Sequence, residues 1–202
     1  AWKENRINVL KKYVNKIIVI FPFEQKWFKK RKMDVFFHGH PFFDKWIPAD
    51  IKKLKLKLKL NNNQPIIALF PGSRKQEIKK HINVIIKTSI KIKNDFPNIQ
   101  FVLGLAPGLK IVEKIPSFIK IEKNNPRNVL ECADFAIIAS GTTTLEAAIF
   151  GIPSIVIYKS SFFTWFFAKI FIKTKFIAMS NIILGEKIMP EFIQFNCNSN
   201  LI

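Results

Sequence analysis

Between Pro65 and Tyr158 the chain alternates short, almost wholly apolar runs with amphipathic stretches, and no other feature constrains its fold as much. The runs Pro65–Phe70, Ile99–Leu105, Phe118–Ile121, Phe135–Ala139 and Ser154–Tyr158 are apolar at nearly every position, with Gln100, Lys120 and Ser154 as exceptions. A strand faces opposite sides at successive residues, so such runs read as strands covered on both faces. Between them, Gln76–Phe96 places Ile78, Ile82, Ile85, Ile86 and Ile90 on one helical face. Shorter helices are predicted at Leu109–Ile115, Arg127–Cys132 and Thr143–Phe150, the last stopped by Gly151 and Pro153. An aromatic-rich helix is predicted over Ser161–Lys173. Strands alternating with helices in this way predict an α/β fold, a doubly wound parallel Rossmann-like sheet.

Upstream, Val14–Phe21 reads as a strand ended by Pro22, Glu24–Met33 as a basic helix and Val35–Phe37 as a second strand. The stretch Lys52–Leu60 alternates lysine and leucine and runs into three asparagines. It fits an edge strand with lysines outward or a low-complexity linker, and the linker is the expectation. The expected domains are then 1–47, a linker at 48–63, and 64–202.

The chain's 202 residues carry 33 basic and 14 acidic side chains, a net charge of +19. Only four of the basic residues, Arg6, Arg31, Arg74 and Arg127, are arginines. Such a surplus attracts polyanions, nucleic acid or anionic lipid. It is equally the composition of a chain rich in Lys, Ile, Asn and Phe, and arginine is too scarce for specific nucleic-acid readout to be expected. Two cysteines, Cys132 and Cys197, exclude a disulfide-dense scaffold or a four-cysteine zinc site. The most apolar stretch, 162–172, contains Lys169 and falls short of the roughly 20 residues a spanning helix needs. The chain opens on Ala1 and enters what reads as the middle of a domain, so a fragment or a shortened gene product is expected.

Ligands of a doubly wound sheet bind beyond the carboxyl ends of its strands, and two strand-to-helix turns there are unusual. The first is Pro71-Gly72-Ser73-Arg74. Gly72 admits close backbone approach, Ser73 and the opening amides of the helix suit an anion, and Arg74 offers a forked donor for phosphate. The same turn can be plain structure with Ser73 as helix cap, and it lacks the second Gly-Lys pair of a Walker P-loop. The second is Ser140-Gly141-Thr142-Thr143-Thr144-Leu145-Glu146. Helix dipole, amides and hydroxyls together form a diphosphate cradle, and Glu146 stands where a carboxylate can accept both hydroxyls of a ribose. Thr143 and Glu146 also have the spacing of a capping box. His38, His40 and Asp44 resemble the start of a metal site. A hydrogen-bonding role for His40 before Pro41 is the stronger expectation, with His81 on a lysine-rich helix. No metal and no cofactor is expected. The aromatic helix suits core packing or shallow membrane contact, helped by Lys169, Lys173 and Lys175.

Taken in order, Phe21-Pro22-Phe23-Glu24, Gly39-His40-Pro41, Pro71-Gly72-Ser73-Arg74 with Glu77-Ile78, and Ala139-Ser140-Gly141-Thr142 with Thr144-Leu145-Glu146-Ala147 resemble the lipid-A-disaccharide synthase family. Tyr158-Lys159, Lys173-Thr174, Asn181-Ile182-Ile183 with Gly185, and Pro190-Glu191-Phe192 with Gln194 extend the resemblance over nearly the whole chain. The resemblance implies the nucleotide-binding half of a GT-B glycosyltransferase. The family transfers 2,3-diacylglucosamine from its UDP donor to 2,3-diacylglucosamine 1-phosphate, giving a β-1,6 disaccharide and UDP on the route to lipid A. By that likeness Arg74 and the Ser140-Gly141-Thr142 turn hold the diphosphate, and Gly72, Ser73 and Thr144 also belong to the donor site. Glu146 holds the ribose, Asn181 borders the donor site and His40 lies between domains. The catalytic base is expected in the part of the N-terminal domain that precedes these residues. The resemblance also implies docking on the anionic inner face of the cytoplasmic membrane of a Gram-negative-type bacterium, and it allows a homodimer. The loop Asn124-Asn125-Pro126-Arg127 departs from the Gly-Gln-containing turn of the family pattern. The alternatives are a non-catalytic nucleotide-binding remnant, or another UDP-sugar transferase or epimerase of the same fold.

Overall fold

The computed structural model describes residues 6–42, 44, 46–161, 165 and 175–202. It divides into two compact units, with the boundary between Ile47 and Pro48.

The first unit holds helix α1 (Arg6–Tyr13), strand β1 (Ile17–Val19), helix α2 (Pro22–Lys29) and strand β2 (Val35–Phe37). The helix crosses between two parallel strands that pair Ile17 with Val35 and Val19 with Phe37. Pro22 opens α2, where its missing N–H is no loss, and the Glu24 carboxylate reaches back to accept from the Phe21 amide at 3.2 Å. Val19, Phe21, Met33, Val35 and Phe42 are buried. The His40 ring tilts against Phe21, with centroids 5.6 Å apart, and its Nδ1 accepts from the Phe42 amide at 3.2 Å. The strand expected over Val14–Phe21 is only three residues long, because the chain bends at Asn15 before it and at Ile20 and Phe21 after it.

The second unit is a six-stranded, all-parallel sheet. Its strands are β3 (Ile66–Phe70), β4 (Gln100–Gly104), β5 (Ile119–Glu122), β6 (Phe135–Ala139), β7 (Ser154–Tyr158) and β8 (Glu191–Ile193), in the order β5-β4-β3-β6-β7-β8. Every residue of β3 is buried. Its even positions Ile66, Ala68 and Phe70 join one apolar layer, while Ile67 and Leu69 join the other. That two-sided cover is why the strand carries no alternation. The second layer is closed by α4 (Lys75–Asp95), which buries Ile78, Ile82 and Ile85 against Leu69, Leu103 and Ile137. On the opposite layer lie α3 (Ile51–Lys57), α5 (Asn128–Glu131) and α6 (Thr143–Ile149), with α7 (Met179–Leu184) packed against α6. The Phe70 ring of β3 lies over Gly104 of β4, where any Cβ would overlap it. The doubly wound parallel sheet expected from the sequence is thus the observed fold.

Two local expectations are corrected. The lysine–leucine stretch within 48–63 contains a helix, α3, rather than unstructured linker. Asp50 caps it by accepting from the Lys53 amide at 3.0 Å, and Leu54 and Leu58, four residues apart, enter the core while Leu56 is 79% exposed. In so short a segment a period of two also satisfies an i, i+4 helical face. Lys57 then reaches the buried Glu122 at 2.5 Å. Burial alone would raise that carboxyl's pKa, but Lys57 and the amides of Asn125 and Asn124 outweigh it and hold the group below the usual carboxylate range. Residues 109–115, expected as a helix, are irregular with a single bend at Glu113, after Gly108, whose φ is +76°. The stretch is only seven residues, bounded by Pro107 and Gly108 on one side and Pro116 on the other, too short to nucleate a helix. Beyond these, β8 and α7 arise in a region that offered no clear periodicity. The aromatic helix expected over Ser161–Lys173 lies largely outside the described residues.

Candidate functional site

The strand order places a switch point between β3 and β6. From β3 the chain crosses to β4 on one side, and from β6 it crosses to β7 on the other. The crevice beyond the carboxyl ends at such a point is where doubly wound sheets hold ligands. The Pro71–Arg74 turn follows β3, and the Ser140–Thr142 turn follows β6, its hydrogen-bonded neighbour.

In the first turn Gly72 adopts φ +121°, and a Cβ there would lie 2.6 Å from the Glu77 Cβ and 2.7 Å from its Oε2. Both the backbone angle and the contact therefore demand glycine. Arg74, not Ser73, occupies the cap position of α4, and no side chain caps it in the usual sense. Instead Glu77, in the first turn, folds back. Its Oε2 accepts from the Ser73 amide at 2.9 Å and its Oε1 from Arg74 Nη1 at 2.6 Å. The Arg74 side chain remains 79% exposed, so most of its donors face solvent at the mouth of the crevice. Glu77 was not among the expected site residues, although its position in the motif was in plain view.

Below this turn sits His81, with no solvent exposure. Its Nδ1 lies 2.8 Å from the Pro71 carbonyl oxygen, and its Nε2 accepts from the Lys159 amide at 2.8 Å. A carbonyl only accepts and an amide only donates, so Nδ1 carries the proton and the ring is neutral. Burial is the largest influence on this imidazole and lowers its pKa. The Pro71 bond and Glu77 oppose the shift, and Lys80 and Lys159 add to it.

The second turn is fastened from below. The Ser140 amide donates to Ile157 O at 3.0 Å and its Oγ to Ile177 O at 2.8 Å. Gly141 and Thr142 are exposed, and a Cβ at Gly141 would have nothing closer than 4.0 Å. The capping box suggested by Thr143 and Glu146 is not formed, because Thr142 is the cap residue and no side-chain cap bond is made. Thr144 is buried. Its Oγ1 donates to Gly141 O at 2.7 Å and accepts from the Met179 amide at 3.0 Å, so its hydroxyl builds the turn rather than facing a ligand. Glu146 is half-buried one helical turn below. Desolvation raises its carboxyl pKa, and Arg127, at the head of α5, pulls the other way.

Asn181, expected to border the site, is fully buried with its amide saturated. Nδ2 donates to Met189 O at 2.8 Å and Glu191 Oε1 at 2.9 Å, while Oδ1 accepts from the Ile188 and Met189 amides. Glu191 in turn accepts from the Ile177 and Ala178 amides at 3.0 and 2.8 Å. Asn181 and Glu191 thereby fix the 177–181 segment, which receives the Ser140 hydroxyl and donates to Thr144. In the first unit His38 stacks on Phe36. Among the described residues no three His, Cys, Asp or Glu side chains converge as metal ligands would.

The family model described as lipid-A-disaccharide synthetase matches residues 1–202. The chain belongs to the lipid-A-disaccharide synthetase family. A lipid-A-disaccharide synthase 1 of Legionella pneumophila (strain Lens) is 38% identical over 207 residues, covering 98% of this chain and 54% of that protein. A lipid-A-disaccharide synthase of Coxiella burnetii (strain Dugway 5J108-111) is 37% identical over 199 residues, covering 96% and 53%. The chain therefore spans about half the length of these relatives. Among solved structures, the spinosyn rhamnosyltransferase SpnG complexed with thymidine diphosphate aligns with half of the chain and 27% of its own, with a TM-score of 0.40 and 17% identity.

Proposed function

We propose that these residues form the nucleotide-sugar donor half of a lipid-A-disaccharide synthase of GT-B type, with residues 64–202 as the donor domain and 1–47 as the end of the acceptor-side domain. The observation that carries the proposal is the pairing of the Pro71–Arg74 and Ser140–Thr142 turns across the switch point in a member of this family. The donor is UDP-2,3-diacylglucosamine and the acceptor 2,3-diacylglucosamine 1-phosphate.

In this reading the diphosphate lies between the two turns. Arg74 supplies forked, charged donors. The opening amides of α4 and the amides of Gly141 and Thr142 at the head of α6 supply oriented dipoles. The Ser73 hydroxyl adds a neutral donor, while the Ser73 amide is already held by Glu77. Glu146 accepts from the ribose hydroxyls, and its partial burial strengthens those bonds. Thr144, Ser140 and Asn181 keep the second turn in shape. Charge builds on the departing UDP as the acceptor's 6-hydroxyl takes its place on the sugar's C1. Arg74 and the helix dipoles meet that charge with fixed donors that need no rearrangement. The base that accepts the hydroxyl proton belongs to the portion of the family chain outside these residues. The +19 charge supports a place on the anionic inner face of the cytoplasmic membrane. No helix among the described residues is long and apolar enough to cross a membrane.

Calorimetric titration with UDP, UMP and uridine tests the proposal. Saturable 1:1 binding in the order UDP, UMP, uridine is expected, with Arg74→Ala weakening UDP by about 1–3 kcal/mol and leaving uridine unaffected. Absence of UDP binding by the folded chain would contradict it and favour a non-catalytic remnant.

A further inference from the structure

The two turns are not held only by their own strands. The Pro71 carbonyl, at the first residue of the anion-binding turn, ends on His81 Nδ1, and the opposite nitrogen of the same ring ends on the Lys159 amide, just beyond β7. β7 is the neighbour of β6, and β6 carries the second turn. One side chain therefore spans from the end of β3 to the end of β7, on the far side of β6.

We propose that His81, as its neutral Nδ1–H tautomer, is a positioning residue: it fixes the Pro71–Arg74 turn relative to the end of β7 and so sets the geometry in which a nucleoside diphosphate is held. The inference rests on the proposed function above and deepens it, since His81 touches no ligand and acts through Pro71. The geometry leaves little freedom. Both bonds are 2.8 Å, the ring has no exposure, and the Tyr158 ring packs 6.1 Å away. Carbonyl and amide dictate opposite roles for the two nitrogens, so only one tautomer satisfies both. A second proton would turn Nε2 into a donor aimed at the Lys159 N–H, breaking the β7 end of the clamp.

Burial sets the sign of the ring's pH response, and the bond to Pro71 and the charged groups around it act on top of that. Glu77 on α4 favours the proton, while Lys80 on α4 and Lys159 beyond β7 oppose it. Cys197 is buried, and burial pushes its thiol pKa up and keeps it protonated. The folded ring thus binds its proton less readily than an unfolded histidine, whose pKa is about 6.5. The stability it contributes is whole above that value and is lost as the pH falls toward the folded pKa.

The test is UDP titration of the wild type, His81→Leu and His81→Asn at about pH 8 and about pH 5. Asparagine places an N–H near the position of Nδ1 and can keep the Pro71 bond; leucine keeps neither bond. At the higher pH, His81→Leu is expected to bind UDP on the order of tenfold more weakly, and His81→Asn to recover most of the loss. On acidification the wild type is expected to lose more affinity than His81→Asn. Protonation of UDP itself affects all proteins alike and cancels in that comparison. Equal affinity of folded His81→Leu and wild type would overturn the clamp while leaving the nucleotide site standing. If leucine prevents folding, His81→Phe, which fills the ring's place and also keeps neither bond, is titrated instead, and equal affinity of that folded variant and wild type would overturn it. Failure of the wild type to bind UDP at the higher pH would refute the nucleotide reading, and the clamp with it.

Discussion

Glu77, Thr144 and Glu191 show how much of the crevice is built by side chains that no ligand need touch. Glu77 holds the Ser73 amide and one Arg74 nitrogen, which leaves the turn rigid and the remaining guanidinium donors outward. Thr144 ties the second turn to the start of α7 through one hydroxyl that both donates and accepts. Thr144→Val keeps the shape and removes both bonds, orphaning the Met179 amide. Urea unfolding is expected to show a loss of about 1–3 kcal/mol, and UDP binding should weaken with it. No loss in either measurement would mean that the turn is held by backbone alone. These roles were only partly legible in the sequence. The motif residues were visible, but which of them face solvent and which face inward depends on partners far along the chain. His81 meets Lys159 across 78 positions, and Thr144 meets Met179 across 35. Asn181 was singled out for the site and is instead its buried support, for the same reason.

At the scale of elements, the central strands were legible because burial on both faces removes alternation and leaves an unbroken apolar run. β3 and β6 stand close to where the sequence placed them. Helix α4 was legible because one face of isoleucines recurs over many turns. Helix α3 was not, because alternating lysine and leucine satisfy two periods at once over seven residues. The two periods make different predictions. On a strand Leu54, Leu56 and Leu58 share one face, whereas on the helix only Leu54 and Leu58 face the core. Leu54→Ala is therefore expected to lower unfolding free energy by about 2–5 kcal/mol, and Leu56→Ala to change it by less than about 0.5 kcal/mol. Equal losses in denaturant unfolding would restore the strand. The segment 109–115 marks the opposite limit. Apolar residues there had helical spacing, but too few of them to outweigh the nucleation cost beside Gly108 and Pro116.

For the whole molecule, chain order and spatial order meet at one place. The crossover direction reverses between β3 and β6, and the two hydroxyl- and glycine-bearing turns stand at that reversal. A basic surface alone would bind polyanions diffusely, with affinity falling steeply as salt rises. In the proposed reading the turns instead offer a single address for a diphosphate. UDP titration followed by backbone amide NMR separates the two directly. The account predicts saturable shifts centred on the amides of Arg74–Gln76 and Gly141–Thr143, persisting at moderate salt. Shifts scattered over surface lysines and abolished by salt, or no shifts in a folded chain, would contradict it.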